Sequence, residues 1–543
     1  MLDTYAPFCP ISSSESLADV PAGRRFRQVF NDELHHPLIK FTTLPIFAVN
    51  MAITQYQRIV FGLKVRQFRQ ERDWNFEELS RESGISVSYL NEIEKGKKYP
   101  QIENQKKLAQ ALGISVEFLN SPELTKQYAP IGNLLQSNFL NELPLDLFGI
   151  ELQQVVEIIA RAPDRVSAFI SALLEIARNY SLRDEHFFFA ALRAYQELRS
   201  NYFEEIESAA EEFILKNGLP EAGGVSSELL ARILQMDFGY KIDQRGLERY
   251  PEMQNLRSVY NPRKNRLLLN SRLNERQRAF QLAKELGFNV LGLEHRPLAS
   301  NFIRVQSFEE ALNNYKAAYF AVAILVNHQS FVLDLQDFFS QPRWNSQPLM
   351  DMTTKYQASP EVLFQRFNVL TREVGLDKVF FQRFIHDLDR DVFDIDKELH
   401  LNRRHLPHAS GLNEHYCRRW LSITLLRDLQ HLSPSEQDDP MLADVQRALF
   451  VDSGEEYLCI ALSKPGLPTR ARNVSVTLGV LLDDHSKQTI RFWDDPAIPQ
   501  VKVGITCERC AMTDCAQRVA PPTVIQKREE RRHLQDLLTK LTT

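Results

Sequence analysis

Asn75-Phe76-Glu77-Glu78-Leu79-Ser80-Arg81-Glu82-Ser83-Gly84-Ile85-Ser86-Val87-Ser88-Tyr89-Leu90-Asn91-Glu92-Ile93-Glu94-Lys95-Gly96 reads as helix, tight turn, helix. Asn75 is placed to cap the first helix, with Glu78 three residues on as its reciprocal partner. Gly84 supplies the left-handed backbone that the turn requires. Ser86 then caps a second helix, and Gly96 ends it. Leu79, Ile85, Leu90 and Ile93 fall on one face, which leaves Val87, Ser88, Asn91 and Glu92 outermost. Upstream, Phe61, Val65 and Phe68 form the apolar stripe of a preceding helix. Downstream, Leu108, Ala109, Leu112, Ile114 and Leu119 supply the apolar face of a closing pair.

Over residues 61–119 this pattern resembles the Xre family, the lambda-repressor and Cro type of DNA-binding domain. The resemblance implies that the second helix lies in the major groove of double-stranded DNA. Val87, Ser88, Asn91 and Glu92 would then read bases, while Ser86, Lys95, Lys97 and Lys98 would hold phosphates. Arg69 and Glu94 match a buried ion pair that the family uses to lock its first helix against the recognition helix. Phe76 stands where the family often has a Gln that touches phosphate. Between Arg58 and Lys107, eleven Lys or Arg face eight Asp or Glu, which leaves only +3. A charge that small predicts weak, salt-sensitive binding by one copy, and so a homodimer on a two-part operator.

The chain of 543 residues is too long for one core, and three or four domains are expected. Hydrophobic content of 43% and charged content of 25% are those of a globular protein, and the net charge of -5 gives no chain-wide field for nucleic acid. No apolar run reaches membrane-spanning length, and the first thirty residues lack a charged start followed by an apolar core. A cytoplasmic location without a membrane partner is expected. Six Cys then point to metal or redox chemistry rather than a disulfide framework. Residues 1–50 lack periodicity and Met51 stands just before the motif, so a disordered leader or a start codon at Met51 is expected.

Pro122, Pro130 and Pro144 mark a linker, and from Phe148 to Leu215 apolar residues recur at three and four as in amphipathic helices. A bundle joining two domains, with a role in dimerisation, is expected there. Next, Arg257-Ser258-Val259-Tyr260 and Arg266-Leu267-Leu268-Leu269-Asn270 flank a turn at Asn261-Pro262, followed by the helical run Arg276 to Phe288. This hairpin and helix resemble the ImmA/IrrE metallopeptidase-like family, whose helix carries His-Glu-x-x-His to bind zinc and supply a general base. Here the two His positions are Lys284 and Phe288, Glu285 keeps the place of the base, and Asn314 stands for the acidic third ligand. A cation and a phenyl ring cannot hold zinc, so no catalysis is expected, and the module is read as degenerate.

Cys507-Glu508-Arg509-Cys510-Ala511-Met512-Thr513-Asp514-Cys515 places three thiols in one loop, and Cys417 in His415-Tyr416-Cys417-Arg418-Arg419-Trp420 is the candidate fourth ligand. Spacing alone does not choose between iron–sulfur and zinc, and reduced cysteines without a ligand are the competing reading. Cys459, in an apolar run, reads as a core thiol. His400, His405, His408 and His415 are spaced five, three and seven apart, which fits no helix face, so they read as core or solvated side chains. Tyr457 to Leu462, Val474 to Leu482 and Thr489 to Trp493 read as strands, with turns at Lys464-Pro465-Gly466 and Asp483-Asp484. Ile525 to Leu541 reads as a surface helix.

Asp377 to Asp387, Cys417 with Trp420, Asn473 to Gly479 and the cysteine loop follow the two earlier modules in an order that resembles the short-chain fatty-acyl transcriptional regulators. That resemblance implies control of carbon metabolism through an acyl-coenzyme A effector, with an iron–sulfur cluster on Cys417, Cys507, Cys510 and Cys515. Phe393-Asp394-Ile395-Asp396-Lys397-Glu398 departs from the family's Gly-Asn-Ile-Ser-Lys-Arg stretch.

The expected architecture is mainly α with an α+β C-terminal part. A disordered leader (1–57) precedes a five-helix helix-turn-helix domain (58–121), a linker (122–147) and a helical connector (148–217). A degenerate ImmA/IrrE-like module (218–345), a small β-containing, cysteine-bearing sensor domain (346–522) and a terminal helix (523–543) follow. A metallopeptidase-like regulator and an effector-free autoregulator or scaffold are the alternatives to a metabolite-sensing transcription factor.

Overall fold

The computed structural model describes residues 46–121, 184–220, 224–300, 305–401, 412–432, 440–466 and 472–542. They divide between two units, one within residues 6–182 and the other taking 183–543. The expected linker at 122–147, His405 and His408 lie outside the described residues, as does the connector up to 183.

In the first unit, α1 (Ile46–Gln70) is followed by α2 (Phe76–Ser83), α3 (Val87–Glu94), α4 (Ile102–Ala111) and α5 (Val116–Asn120). Helix α1 begins at Ile46, inside the stretch expected to be a disordered leader. Asn75 Oδ1 accepts the Glu78 N–H at 2.9 Å, and the Glu78 carboxylate accepts the Asn75 N–H at 2.7 Å, so the capping box closes. Gly84 takes φ +67° at the turn, and Ser86 Oγ accepts the Tyr89 N–H at the start of α3. Phe61, Val65, Leu79, Ile85, Leu90, Ile93, Leu108 and Leu112 meet in one core. Gly62 lets α1 reach α3: a Cβ there would lie 2.2 Å from the Ile93 carbonyl oxygen.

The second unit is built around α10 (Phe308–Leu325), which is buried along almost its whole length. Packed on it are α6 (Asp184–Leu198), α7 (Glu204–Asn217), α9 (Glu275–Val290) and α13 (Pro360–Leu370). Residues 184–217, expected in a connector, are therefore part of this body. Phe203 sits between Tyr195, Tyr315 and Tyr319, and Glu207 is held by Arg366 and by the Tyr319 hydroxyl at 2.7 Å. Among the described residues no single helix is long and apolar enough to cross a membrane, and α10 spends its apolar surface on this core.

Around α9 stand α8 (Ser227–Phe238) and a small sheet of β1 (Lys241–Asp243), β2 (Ser258–Asn261) and β3 (Arg266–Leu269) in the order β1-β3-β2. Helices α11 (His328–Ser340) and α12 (Gln347–Lys355) lead to α13. A six-stranded sheet follows in the order β5-β4-β8-β7-β6-β9. It uses β4 (Val379–Asp387), β5 (Val392–His400), β6 (Leu442–Phe450), β7 (Glu456–Pro465), β8 (Arg472–Leu481) and β9 (Gln500–Val503). Only the β6–β9 pair is parallel, so hairpin-like neighbours build most of it. Helix α14 (Leu421–His431) covers one face through Phe380, Phe384, Ala448 and Phe450.

The strand expected over Thr489–Trp493 is not formed. Asp483 accepts the N–H groups of His485 and Ser486 and starts α15 (Asp484–Thr489), and the apolar Ile490 and Phe492 then enter the core from a turn. The terminal helix α16 (Thr523–Thr542) is solvated on all sides.

Candidate functional site

Ser86, Val87 and Ser88 are exposed at the N-terminus of α3, with Val87 41% accessible, and Asn91, Glu92 and Lys95 are partly exposed along the same helix. Lys97 and Lys98 follow on the surface just past its end. The fixing of this helix is internal and strongly ionic. Arg69 grips Glu94 through two hydrogen bonds of 2.6 and 2.9 Å, and donates a third to the Trp74 carbonyl at 2.7 Å. Its guanidinium lies 4.4 Å from the centre of the Phe76 ring, so the residue that replaces the family's Gln braces the lock by stacking. Burial lowers the Arg69 pKa less than the Glu94 hydrogen bond raises it.

A second arrangement lies on α9. Lys284, Glu285 and Phe288 are all buried. The Glu285 carboxylate is held by Arg296 Nη2 at 2.7 and 2.6 Å, and the Tyr240 hydroxyl stands 3.3 Å from it. The Arg296 guanidinium lies 3.8 Å from the Phe288 ring centre and 4.4 Å from that of Tyr260. Burial brings the Lys284 ammonium down to about 7, with Glu285 opposing and Arg296, Lys397 and Arg257 adding to the fall. Zinc does not fit these residues: Phe288 offers no donor, Lys284 is a cation in acid solution, and the carboxylate is already paired. Asn314 is buried nearby on α10. The sequence reading found Lys284, Glu285, Phe288 and Asn314 and missed Arg296, which sits in an irregular loop between Gly292 and Pro297.

Residues 65–119 match the family model described as helix-turn-helix, and residues 247–368 match the IrrE N-terminal-like domain. The chain thus carries a helix-turn-helix domain and an IrrE-like module. No curated protein matches it. Among solved structures, a Mycobacterium tuberculosis transcriptional regulator aligns at 20% identity and a TM-score of 0.43, over 61% of this chain and 94% of that one. The IrrE-like match runs on to residue 368 and takes in α12 and most of α13, beyond the boundary expected at 345.

Beyond the IrrE-like module, the cysteine loop is fastened to the segment before α14. Cys507 donates its N–H to the His415 carbonyl at 2.8 Å, and Cys417 donates to that of Ile505 at 3.1 Å. Arg509 pairs with Glu414, and His415 Nδ1 lies 2.7 Å from Glu508. Arg518 donates to the carbonyls of Cys507, Cys510 and Met512 and closes the loop from behind. Cys417, Cys507 and Cys510 are buried, and Cys515 is half-buried. Burial pushes the Cys417 thiol up, N–H groups of Arg419 and Gly504 oppose this, and the thiols of Cys507 and Cys510 add to the rise. Gly504 approaches so closely that a Cβ would lie 2.9 Å from Cys510 Sγ.

Thiol donors suit zinc or iron–sulfur in kind. The arrangement is incomplete: among the described residues, no three His, Cys, Asp or Glu side chains stand grouped to hold a metal. Cys459 is a core thiol in β7, pushed up to about 12 by burial. His400 is buried 3.2 Å from Glu398.

On the sheet face opposite α14, a cleft open to solvent lies between α9, α13 and the strands. Arg257, Arg383 and Lys464 line it, with Gln281 and Glu361. Glu361 pairs with Lys397 and with Arg383, and Arg383 pairs with Asp396.

Proposed function

We propose that the chain is a sequence-specific, non-catalytic transcriptional regulator that reads duplex DNA through α3. One observation carries the reading: α3 exposes a Ser86-capped start and is anchored to α1 at its far end by the Arg69–Glu94 pair. Such a helix start, with N–H groups and small polar side chains foremost, suits insertion into a major groove. Lys97 and Lys98 flank it where phosphates would pass. The test selects bound fragments from genomic DNA with the full chain, then repeats the selection after exchanging Val87, Ser88, Asn91 and Glu92. A changed set of fragments is expected; an unchanged set rejects the reading.

Regulation is assigned to the second unit. An acyl-coenzyme A is the expected effector, and the placing of Arg257 and Lys464 beside the apolar Val474 and Val476 in the cleft supports a ligand of phosphates joined to an acyl chain. Effector binding would shift operator affinity only by its differential affinity for two states of the protein. Acetyl- or propionyl-coenzyme A that neither binds nor alters operator affinity defeats this part. The cysteine loop is a separate proposal, as a site for iron–sulfur or zinc. Anaerobic purification with absorbance and metal analysis, repeated on Cys507→Ser, tests it directly.

A further inference from the structure

The IrrE-like module departs from the metallopeptidase pattern at both imidazole positions, and Arg296 sits where that departure is felt. We infer that the Arg296 guanidinium has taken over the place and the electrostatic task of a metal ion in this module. It binds the carboxylate at the position of the general base and stacks on Phe288, the residue at the second imidazole position. That location, between base and second ligand, is the one a metal and its water would need.

The pair is thoroughly enclosed. The Arg296 and Glu285 side chains are 10% and 7% exposed, with the Tyr260 ring closing the other side of the guanidinium. The Tyr240 hydroxyl touches both partners, at 3.4 and 3.3 Å, and is itself held by Asn289 at 3.0 Å. A buried carboxylate without a partner is costly, so the loss of two imidazoles and a metal demands another cation. Lys284 carries a charge one residue away but makes no hydrogen bond to Glu285.

The segment that brings Arg296 is strapped down at both ends. The Tyr260 N–H donates to the Leu298 carbonyl at 2.8 Å, and the Arg257 N–H donates to Ser300 Oγ at 2.8 Å. Val259 and Ala299 form an antiparallel bridge, and Asn313 donates to the His295 carbonyl at 2.8 Å. The strap adds backbone to the β2 edge and lays the guanidinium over α9. The β2 edge, where an extended peptide could pair, is closed by the protein's own chain.

The test uses the full chain and zinc alone. Lys284→His with Phe288→His is prepared with Arg296 kept and with Arg296→Ala, and zinc is counted after loading and desalting. Zinc that the native chain holds elsewhere is subtracted. About one additional zinc per chain is expected only where Arg296 is removed. Equal uptake with and without Arg296, nil included, overturns the inference. A thermal double-mutant cycle on Glu285→Gln and Arg296→Ala serves if the redesigned chains fail to fold. The double variant should lose little more Tm than the worse single variant, and additive losses overturn the inference.

Discussion

At the residue scale, several basic side chains counted in favour of nucleic acid turn out to serve the domain itself. Lys64 is fully buried, and its ammonium donates to the carbonyls of Phe118 and Ser121 and to Ser121 Oγ at 2.6 to 2.8 Å. Arg69 is committed to Glu94, and Arg72 donates to the carbonyls of Phe68 and Leu112. Lys97 and Lys98 remain outside. Two lysines in one domain should therefore behave oppositely. Lys97→Ala should cut the slope of log affinity against log salt by about 0.9, with little change in Tm. Lys64→Ala should lower Tm, because three acceptors lose their donor, and leave the salt slope of the folded fraction unchanged. Titrating affinity from low to high salt on both variants checks the pair.

Lys284 gives a second contrast at this scale. Its folded pKa of about 7 lies below the ordinary lysine value of 10.5, so between those values the unfolded chain binds more protons than the folded one. Stability from this group therefore rises with pH across that window, and the full penalty is felt below pH 7. Lys284→Met should stabilise the unit by up to a few kcal/mol near pH 6, and by much less near pH 10. Thermal unfolding at the two pH values measures the difference, and a gain that is equal at both would reject burial of a charge as its cause.

At the element scale, the helix pair α2–α3 was legible because its determinants are local. A cap, a glycine and a second cap lie within twelve positions, and each fixes backbone over one turn. The same locality explains the miss at Thr489–Trp493, where β-branched and aromatic residues suggested a strand. Asp483 started a helix that this composition does not reveal, and Ile490 and Phe492 are buried for tertiary reasons. Strand β4 went unread because it is buried on both faces, which removes the alternation that marks a half-exposed strand. The α1–α3 contact shows where local signals stop. Gly62 reads as a poor helix former, yet its missing side chain sets the distance to the recognition helix. Gly62→Ala should raise helix propensity and still destabilise the domain, by about 1–3 kcal/mol, since the obstacle is a backbone carbonyl. Urea unfolding of the domain's signal measures this, and stabilisation would show that α1 and α3 can part freely.

At the scale of the whole molecule, the modules were readable in order and their chemistry was not. Glu207 and Arg366 are 159 residues apart, and Arg296 meets Glu285 from a loop without periodicity. Pairs of this kind are made by tertiary closure, and no local pattern announces them. The four proposed cysteine ligands were legible as types, but whether they close around one ion depends on how the loop is held. Glu414, Glu508 and Arg518 do that holding, and no spacing rule assigns them that role.

The same accounting bears on how many copies are needed at an operator. With Lys64, Arg69 and Arg72 engaged internally, the outward surface of one helix-turn-helix domain is less basic than its +3 suggests. One recognition helix contacts a short half-site, and few phosphates are neutralised, so a single copy should bind weakly at physiological salt. Two copies on half-sites one helical turn apart, about 10 base pairs, add both the base contacts and the phosphate contacts. High-affinity complexes should therefore contain two chains. Inserting roughly 5 base pairs between half-sites turns one of them to the far side of the duplex and should abolish tight binding, whereas roughly 10 should restore part of it. Mobility shifts on the three spacings, with stoichiometry from mass photometry, decide the matter. A tight complex holding one chain, or affinity indifferent to the inserted half-turn, would mean that a monomer suffices.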